Sequence, residues 1–178
     1  IAIKIMRSNV IDDVEGLNFK EEIRLARKIT HRNIVRTYDF GSWQHSYYIT
    51  MEFVQGVGLN DFIAKQKNSL DINVGVGICK QICSAVMAAH QMGIIHRDLK
   101  PSNMIINRRG IVQVMDFGLA MQVNTSGQSK ESENIVMGTP KYMAPEQFLG
   151  SKDLDERSDI YSLGAVMFSL FSGKPPFP

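Results

Sequence analysis

Two carboxylates, a carboxamide and two ammonium groups stand where they could do chemistry together. The run His96-Arg97-Asp98-Leu99-Lys100-Pro101-Ser102-Asn103 brings Asp98, Lys100 and Asn103 close along the chain. Asp116-Phe117-Gly118 follows a short hairpin pattern, Lys4 lies far upstream in Ala2-Ile3-Lys4, and Ala144-Pro145-Glu146 comes last. Asp98, Asn103 and Asp116 offer oxygen atoms, which suit a hard divalent cation. Other reactive side chains carry less. Cys79 and Cys83 would share one face of a helix but lack the partners for a disulfide or metal site. They are expected to be buried core thiols, in keeping with a reducing cytoplasm. His31, His45 and His90 lack metal-ligand spacing and read as helix-end or loop residues.

The elements that must position these groups follow from periodicity. Ile1, Ile3 and Ile5 alternate with Ala2 and Lys4, a strand pattern. Asp12, Asp13 and Gly16 break it. Phe19, Ile23, Ala26 and Ile29 then recur at helical spacing among charged residues, which predicts an amphipathic helix of about three turns. Two β-rich runs, 34–40 and 47–53, predict a hairpin around 41–46, and Gln55-Gly56-Val57-Gly58 reads as a flexible connector. Beyond it Asp71 can cap a long helix with Val74, Ile78, Ile82, Val86 and Ala89 on its apolar face, ended by Gly93. Asn107-Arg108-Arg109-Gly110 is a hairpin turn between two short strands. Residues 122–134 are polar and read as a mobile loop. Residues 160–171 are apolar on nearly all sides, which predicts a buried helix.

Composition sets the frame. Of 178 residues, 44% are apolar and 21% charged, so the chain is neither disordered nor a disulfide scaffold. Twenty basic and 18 acidic residues leave a net charge of +2, so no strong field points to nucleic acid or a membrane surface. The longest apolar stretch in the sequence, near 163–171, is too short to span a bilayer. No signal peptide opens the chain.

The four clusters, in their order, resemble the protein kinase family, and the resemblance runs along essentially the whole chain. It implies an α+β, two-lobed kinase-like fold: a small lobe of β-sheet plus one helix over 1–52, a hinge over 53–58, and a mainly helical lobe over 59–178. It further implies ATP and Mg²⁺, with Mn²⁺ as an alternative ion. Asp98 would accept the hydrogen bond of a substrate hydroxyl, and Asn103 and Asp116 would hold the metal. Lys4 would reach the α- and β-phosphates, oriented by an acid on the helix, Glu22 in preference to Glu21. Met51 takes the family's gatekeeper position. Glu52 and Val54 would offer backbone groups to the adenine edge, and Ala2 and Ile105 would sandwich the ring, supported by Val166 and Leu170.

The same resemblance chooses the class. Lys100 after Asp98, with Gly138-Thr139-Pro140 before Tyr142, is the serine/threonine pattern, and Thr139 would contact both Asp98 and Lys100. His96 would pack against Phe117, while Asp159 would hold the backbone around His96 and Arg97. The partners implied are proteins bearing serine or threonine, with dimerisation through the small lobe or flanking regions. A cytoplasmic domain is implied, with any membrane anchor in flanking regions. Around Ala26–Gly41 and Ile94–Ala120 the sequence resembles the bacterial eukaryotic-like group.

Three departures qualify the match. Thr37 and Ala26 replace larger apolar residues in the column that joins the small-lobe helix to Phe117. The family's Gly-rich phosphate loop would precede Lys4, and the Arg that pairs with Glu146 would follow Pro178. Neither lies in these 178 residues. The chain therefore reads as a piece of a longer product, expected to be poorly stable and inactive alone, with Glu146 unpaired and an apolar helix face uncovered. Readings from other classes are a kinase-like scaffold without chemistry and a small-molecule phosphotransferase, which would lack the segment 138–146.

Arg97 beside Asp98 implies control by a phosphorylated loop residue. Thr125, Ser126, Ser129 and Ser132 are available there, and Glu131 and Glu133 could partly substitute for phosphate. Active full-length protein is then expected to carry no stoichiometric phosphate at Ser129 or Ser132 by mass spectrometry. Activity that demands that phosphate would show the glutamates insufficient.

Overall fold

The computed structural model describes residues 1–7, 23–44, 46–66, 70–117, 140–151 and 153–177. The expected hairpin forms, but more tightly than its sequence suggests. Strand β2 (Thr37–Trp43) runs through the residues expected in the turn and pairs antiparallel with β3 (Ser46–Met51). Gln44 turns the chain at a left-handed φ of 53°. β1 (Ala2–Arg7) pairs antiparallel along the other edge of β3, with Lys4 opposite Ile49, to give a sheet ordered β1-β3-β2. Its inner side holds a small core of Ile23, Val35, Ile49 and Met51, with Ala2, Phe40, Tyr47, Val54 and Met115 packed against it. Ile1, Ile3 and Ile5 are on the exposed side. The alternation predicts the strand and leaves open which face is covered. Of the expected small-lobe helix, residues 23–26 are helical, and the preceding part lies outside the described residues.

The connector is not a loop. Gly56–Gly58 forms strand β4, paired antiparallel with β5 (Met104–Asn107), which pairs in turn with β6 (Val112–Val114). Glycine permits this at Gly56, where a Cβ would lie 2.2 Å from the Ile106 carbonyl oxygen. The Asn107 side chain builds the β5–β6 turn by accepting from the Arg109 and Ile111 N–H groups.

Besides the helical residues 23–26, the described residues form four helices: α1 (Leu59–Gln66), α2 (Ile72–His90), α3 (Pro145–Phe148) and α4 (Glu156–Ser172). Asp71 caps α2 as expected, its Oδ1 accepting from Asn73 and Val74 N–H. Asp155 does the same for α4 through Arg157 N–H, and Gly173 closes that helix at a φ of 75°. The large core gathers Leu59, Ile63, Ile78, Ile82, Val86, Leu99, Met104, Val114, Phe117, Val166 and Leu170. Complete removal of such aliphatic side chains from water contributes about 1.5–3 kcal/mol each.

Three expectations change here. The long, most apolar helix is α2, not 163–171: its 19 residues have the length and composition to cross a membrane, with a mean hydropathy of 1.4. Its Ile78, Ile82, Ala85, Val86 and Ala89 face the core, whereas Val74 is exposed. The cysteines lie one position round from that face, so Cys79 is half-buried and Cys83 exposed rather than core. Helix α4 is not buried on all sides. Its core face consists of Ser158, Asp159, Ser162, Ala165, Val166, Ser169 and Leu170, while Ile160, Phe168 and Phe171 are exposed.

Burial, followed by the neighbouring Cys83 charge, pushes the Cys79 thiol above its ordinary pKa. The thiolate is the reactive form, so Cys83 is expected to be alkylated before Cys79 at neutral pH. Peptide mapping after brief iodoacetamide treatment checks this, and preferential labelling of Cys79 would contradict it.

Candidate active site

Asp159, in the first turn of α4, is fully buried and organises the loop that carries Asp98. Its Oδ2 accepts from the His96 N–H and its Oδ1 from the Arg97 N–H, both at 2.8 Å. Oδ2 also lies 2.7 Å from His90 Nε2 at the end of α2. These bonds hold Arg97 at a φ of 64°, a left-handed conformation that costs a non-glycine residue on the order of 1–3 kcal/mol.

His96 is buried beside this clamp. The Asp98 N–H donates to its Nδ1 at 3.2 Å, so the Nε2 proton points to the Met115 carbonyl at 2.9 Å. Its ring meets Phe117 edge-on with centroids 4.6 Å apart, as the sequence predicts. Both nitrogens are thus committed to holding backbone.

The Asp98 carboxylate projects from this base, with its side chain 42% exposed. Its Oδ2 is 2.8 Å from Lys100 Nζ and accepts from Asn103 Nδ2 at 3.0 Å. Asn103 Nδ2 also donates to the Asp98 carbonyl at 2.9 Å, which leaves its Oδ1 as the atom for another partner. Asn103 ends a 3₁₀ turn, Pro101–Asn103, that leads directly into β5.

Asp116 follows β6 at a φ of 69°, the second strained residue of the site. Its Oδ2 lies 2.8 Å from Lys4 Nζ, so two residues 112 positions apart meet. Its Oδ1 is buried with no hydrogen-bond partner among the described residues. A buried carboxylate oxygen without a donor is costly unless something positive binds it. With the Asn103 carboxamide oxygen, it makes a hard-oxygen donor set that fits Mg²⁺.

The residues expected around adenine fall in neighbouring places. Ala2, Met51 and Val54 belong to the small core, and Ile105 is half-buried on β5 opposite Gly58. The Glu52 N–H donates to the Arg36 carbonyl, and its Oε2 accepts from Gln113 Nε2. Val166 and Leu170 are in the large core. Glu22, Gly118, Thr139, Glu131 and Glu133 lie outside the described residues, as does His45.

Glu146, expected from sequence to lack its ion-pair partner, is hydrogen-bonded by a neutral group: Ser158 Oγ donates to its Oε1 at 2.6 Å. His90 is more than a helix-end residue, since it contacts Asp159. His31 likewise joins two elements, its Nδ1 accepting from the Asn33 N–H and its Nε2 lying 3.3 Å from Ser84 Oγ. Gln147, which the sequence does not single out, donates from Nε2 to the Arg97 carbonyl at 2.7 Å. A signal for His90 would be its fixed place at the end of a capped helix; for Gln147 none is legible.

The protein kinase domain family matches residues 1–178. The chain belongs to that family. It is 38% identical over 182 residues to serine/threonine-protein kinase PknB of Mycobacterium tuberculosis, a match covering 99% of this chain and 29% of that protein. It is 39% identical over 178 residues to serine/threonine-protein kinase PrkC of Bacillus subtilis, covering 99% and 27%. The chain thus spans less than a third of the length of these curated relatives. Among solved structures, the kinase domain of M. tuberculosis PknI superposes with a TM-score of 0.79 at 26% identity, covering 99% of this chain and 64% of that one. The kinase fold, mixed in helix and sheet, is therefore the fold of this chain.

Asp159→Ala would leave the His96 and Arg97 amides buried without an acceptor. Full-length protein carrying it is expected to lose about 2–6 kcal/mol of stability, since each buried donor left without its acceptor costs about 1–3 kcal/mol. A urea midpoint equal to that of the wild type would contradict the clamp.

Proposed function

We propose that this chain is the catalytic core of a serine/threonine protein kinase, which moves the γ-phosphoryl group of ATP to a hydroxyl on a protein. The observation that carries the reading is the placement of Asp98. Its carboxylate is held by Lys100 and Asn103 above a backbone fixed by Asp159, and it stays open to solvent. The similarity to PknB and PrkC adds to it.

Phosphoryl transfer of this kind depends on positioning and charge neutralisation. The substrate oxygen attacks in line as the bridging bond between the γ-phosphorus and the β-phosphate oxygen breaks, so that one P–O bond forms while another is lost. The hydroxyl proton passes late to Asp98, and ADP leaves. Lys100 neutralises charge on the transferring group, and Thr139 helps to shape the hydroxyl pocket. Lys4, oriented by Glu22, holds the α- and β-phosphates. Asp116 and Asn103 hold Mg²⁺, which supplies positive charge against the phosphate oxygens. Met51, the Glu52 carbonyl, the Val54 N–H, Ala2 and Ile105 receive adenine. Arg97, Phe117, Gly118 and Glu146 support the active arrangement without touching the reacting atoms. In this reading 1–52 forms the small lobe, 53–58 the hinge and 59–178 the large lobe, and the need for ATP puts the domain in the cytoplasm.

Asp98→Asn in the complete protein keeps the shape and removes the proton acceptor. Transfer to a protein substrate is expected to fall by about 10²–10⁴-fold, while ATP affinity is unchanged. Wild-type turnover by this variant, followed with radiolabelled ATP, would overturn the role of Asp98. Nucleotide binding without transfer by the wild type would favour the scaffold reading.

A further inference from the structure

Gln147 lies in the short helix α3, directly after Ala144-Pro145-Glu146 and 50 residues from the loop it touches. Its carboxamide makes two bonds at once. Oε1 accepts from the Ala144 N–H at 3.2 Å, which fixes the side chain on its own segment. Nε2 donates to the Arg97 carbonyl at 2.7 Å. The reverse orientation of the amide would set oxygen against oxygen and N–H against N–H, so the pair of partners defines the orientation.

The Arg97 carbonyl belongs to the peptide unit that joins Arg97 to Asp98. The other polar group of that unit, the Asp98 N–H, donates to His96 Nδ1 at 3.2 Å. One peptide plane is therefore held at both edges, by Gln147 and by His96. Its neighbour is held by Asp159 through the Arg97 N–H at 2.8 Å. Arg97, between the two planes, sits at a φ of 64°. A residue in that region relaxes when its restraints go, and rotation of the Arg97–Asp98 plane would swing the Asp98 side chain. Asp159 restrains the planes before His96 and before Arg97 but not the Arg97–Asp98 plane.

We propose that Gln147 is a positioning residue for Asp98: its carboxamide locks the peptide plane before Asp98 and makes the aim of that carboxylate depend on the seating of the 140–148 segment. This deepens the kinase reading and rests on it for its kinetic consequence, whereas its structural consequence does not need that reading.

Two variants of the complete protein test it. Gln147→Glu keeps an oxygen for the Ala144 N–H but turns a carboxylate oxygen toward the Arg97 carbonyl, so only the cross-segment bond is lost; Gln147→Ala loses both. In each, kcat for a protein substrate is expected to fall by about tenfold or more while KM for ATP moves less than about twofold. Exchange of the Asp98 amide, read by hydrogen–deuterium exchange over 96–100, is expected to quicken by about tenfold. Wild-type exchange in Gln147→Glu overturns the proposal. So does a kcat loss matched by an equal loss of ATP affinity, the mark of general damage. If the wild type transfers no phosphate, the kinase reading fails, and the exchange result still decides the role of Gln147.

Discussion

A single buried carboxylate holds the site in shape. Asp159 is fully removed from water, a position that an ionised group tolerates only with dense hydrogen bonding. It has two backbone N–H donors and the His90 ring within 2.8 Å. Hydrogen bonds to a charged group contribute roughly 1.5–3 kcal/mol each, so the two amides together offset the strain at Arg97. The same bonds tie α4 to α2 and to the loop between α2 and β5. Together with the Gln147 and His96 bonds to the following peptide, they keep a non-glycine residue at positive φ in that loop.

Strain and exposure divide the site in two. Arg97 and Asp116 are the left-handed residues nearest the chemistry, and each precedes or carries a functional carboxylate. Below them His96 and Asp159 are buried and fully engaged, and Asn103 is buried with its Nδ2 engaged. Above them Asp98 and Lys4 have side chains 42% and 43% exposed. The Lys4–Asp116 ion pair has one end in water and the other, Asp116, only 13% exposed. Lys4 is the water-exposed end of its pair and can turn to an anion once another positive group takes its place at the mostly buried Asp116, whereas Asn103 and His96 cannot be moved without breaking buried bonds.

This division also explains what could be read from the sequence. Asp98, Lys100, Asn103 and Asp116 were legible because the turn and hairpin between them are local, and local spacing brings them together. The cap Asp71 and the β5–β6 turn at Asn107 are equally local. His90 and Gln147 reach Asp159 and Arg97 across 69 and 50 residues, and no periodicity encodes such a meeting. Periodicity also fails to say which face is covered. Ile1, Ile3 and Ile5 alternate as a buried strand would yet face outward, and α4 turns serines and an aspartate toward the core while Ile160 and Phe168 stay exposed. Close small-residue packing against Tyr142, whose hydroxyl lies 3.2 Å from Ser169 Oγ, accounts for part of that inversion.

The chain crosses between the two sheets twice, and the crossings are built differently. At the first, Asn33–Val35 is bonded to β6 through Val35 N–H to the Val114 carbonyl and Val114 N–H to the Asn33 carbonyl, at 2.8 and 2.9 Å. The Asn33 side chain adds bonds to the Val112 carbonyl and to Gln81 on α2. This crossing belongs mechanically to the second sheet. At the second, residues 52–55, the fastening bonds fall at the ends: Glu52 N–H to the Arg36 carbonyl, and Arg108 N–H to the Gln55 carbonyl. Lys4 is carried by the first sheet and Asp116 follows the second, so their 2.8 Å contact joins the two sheets at the candidate phosphate site independently of either crossing.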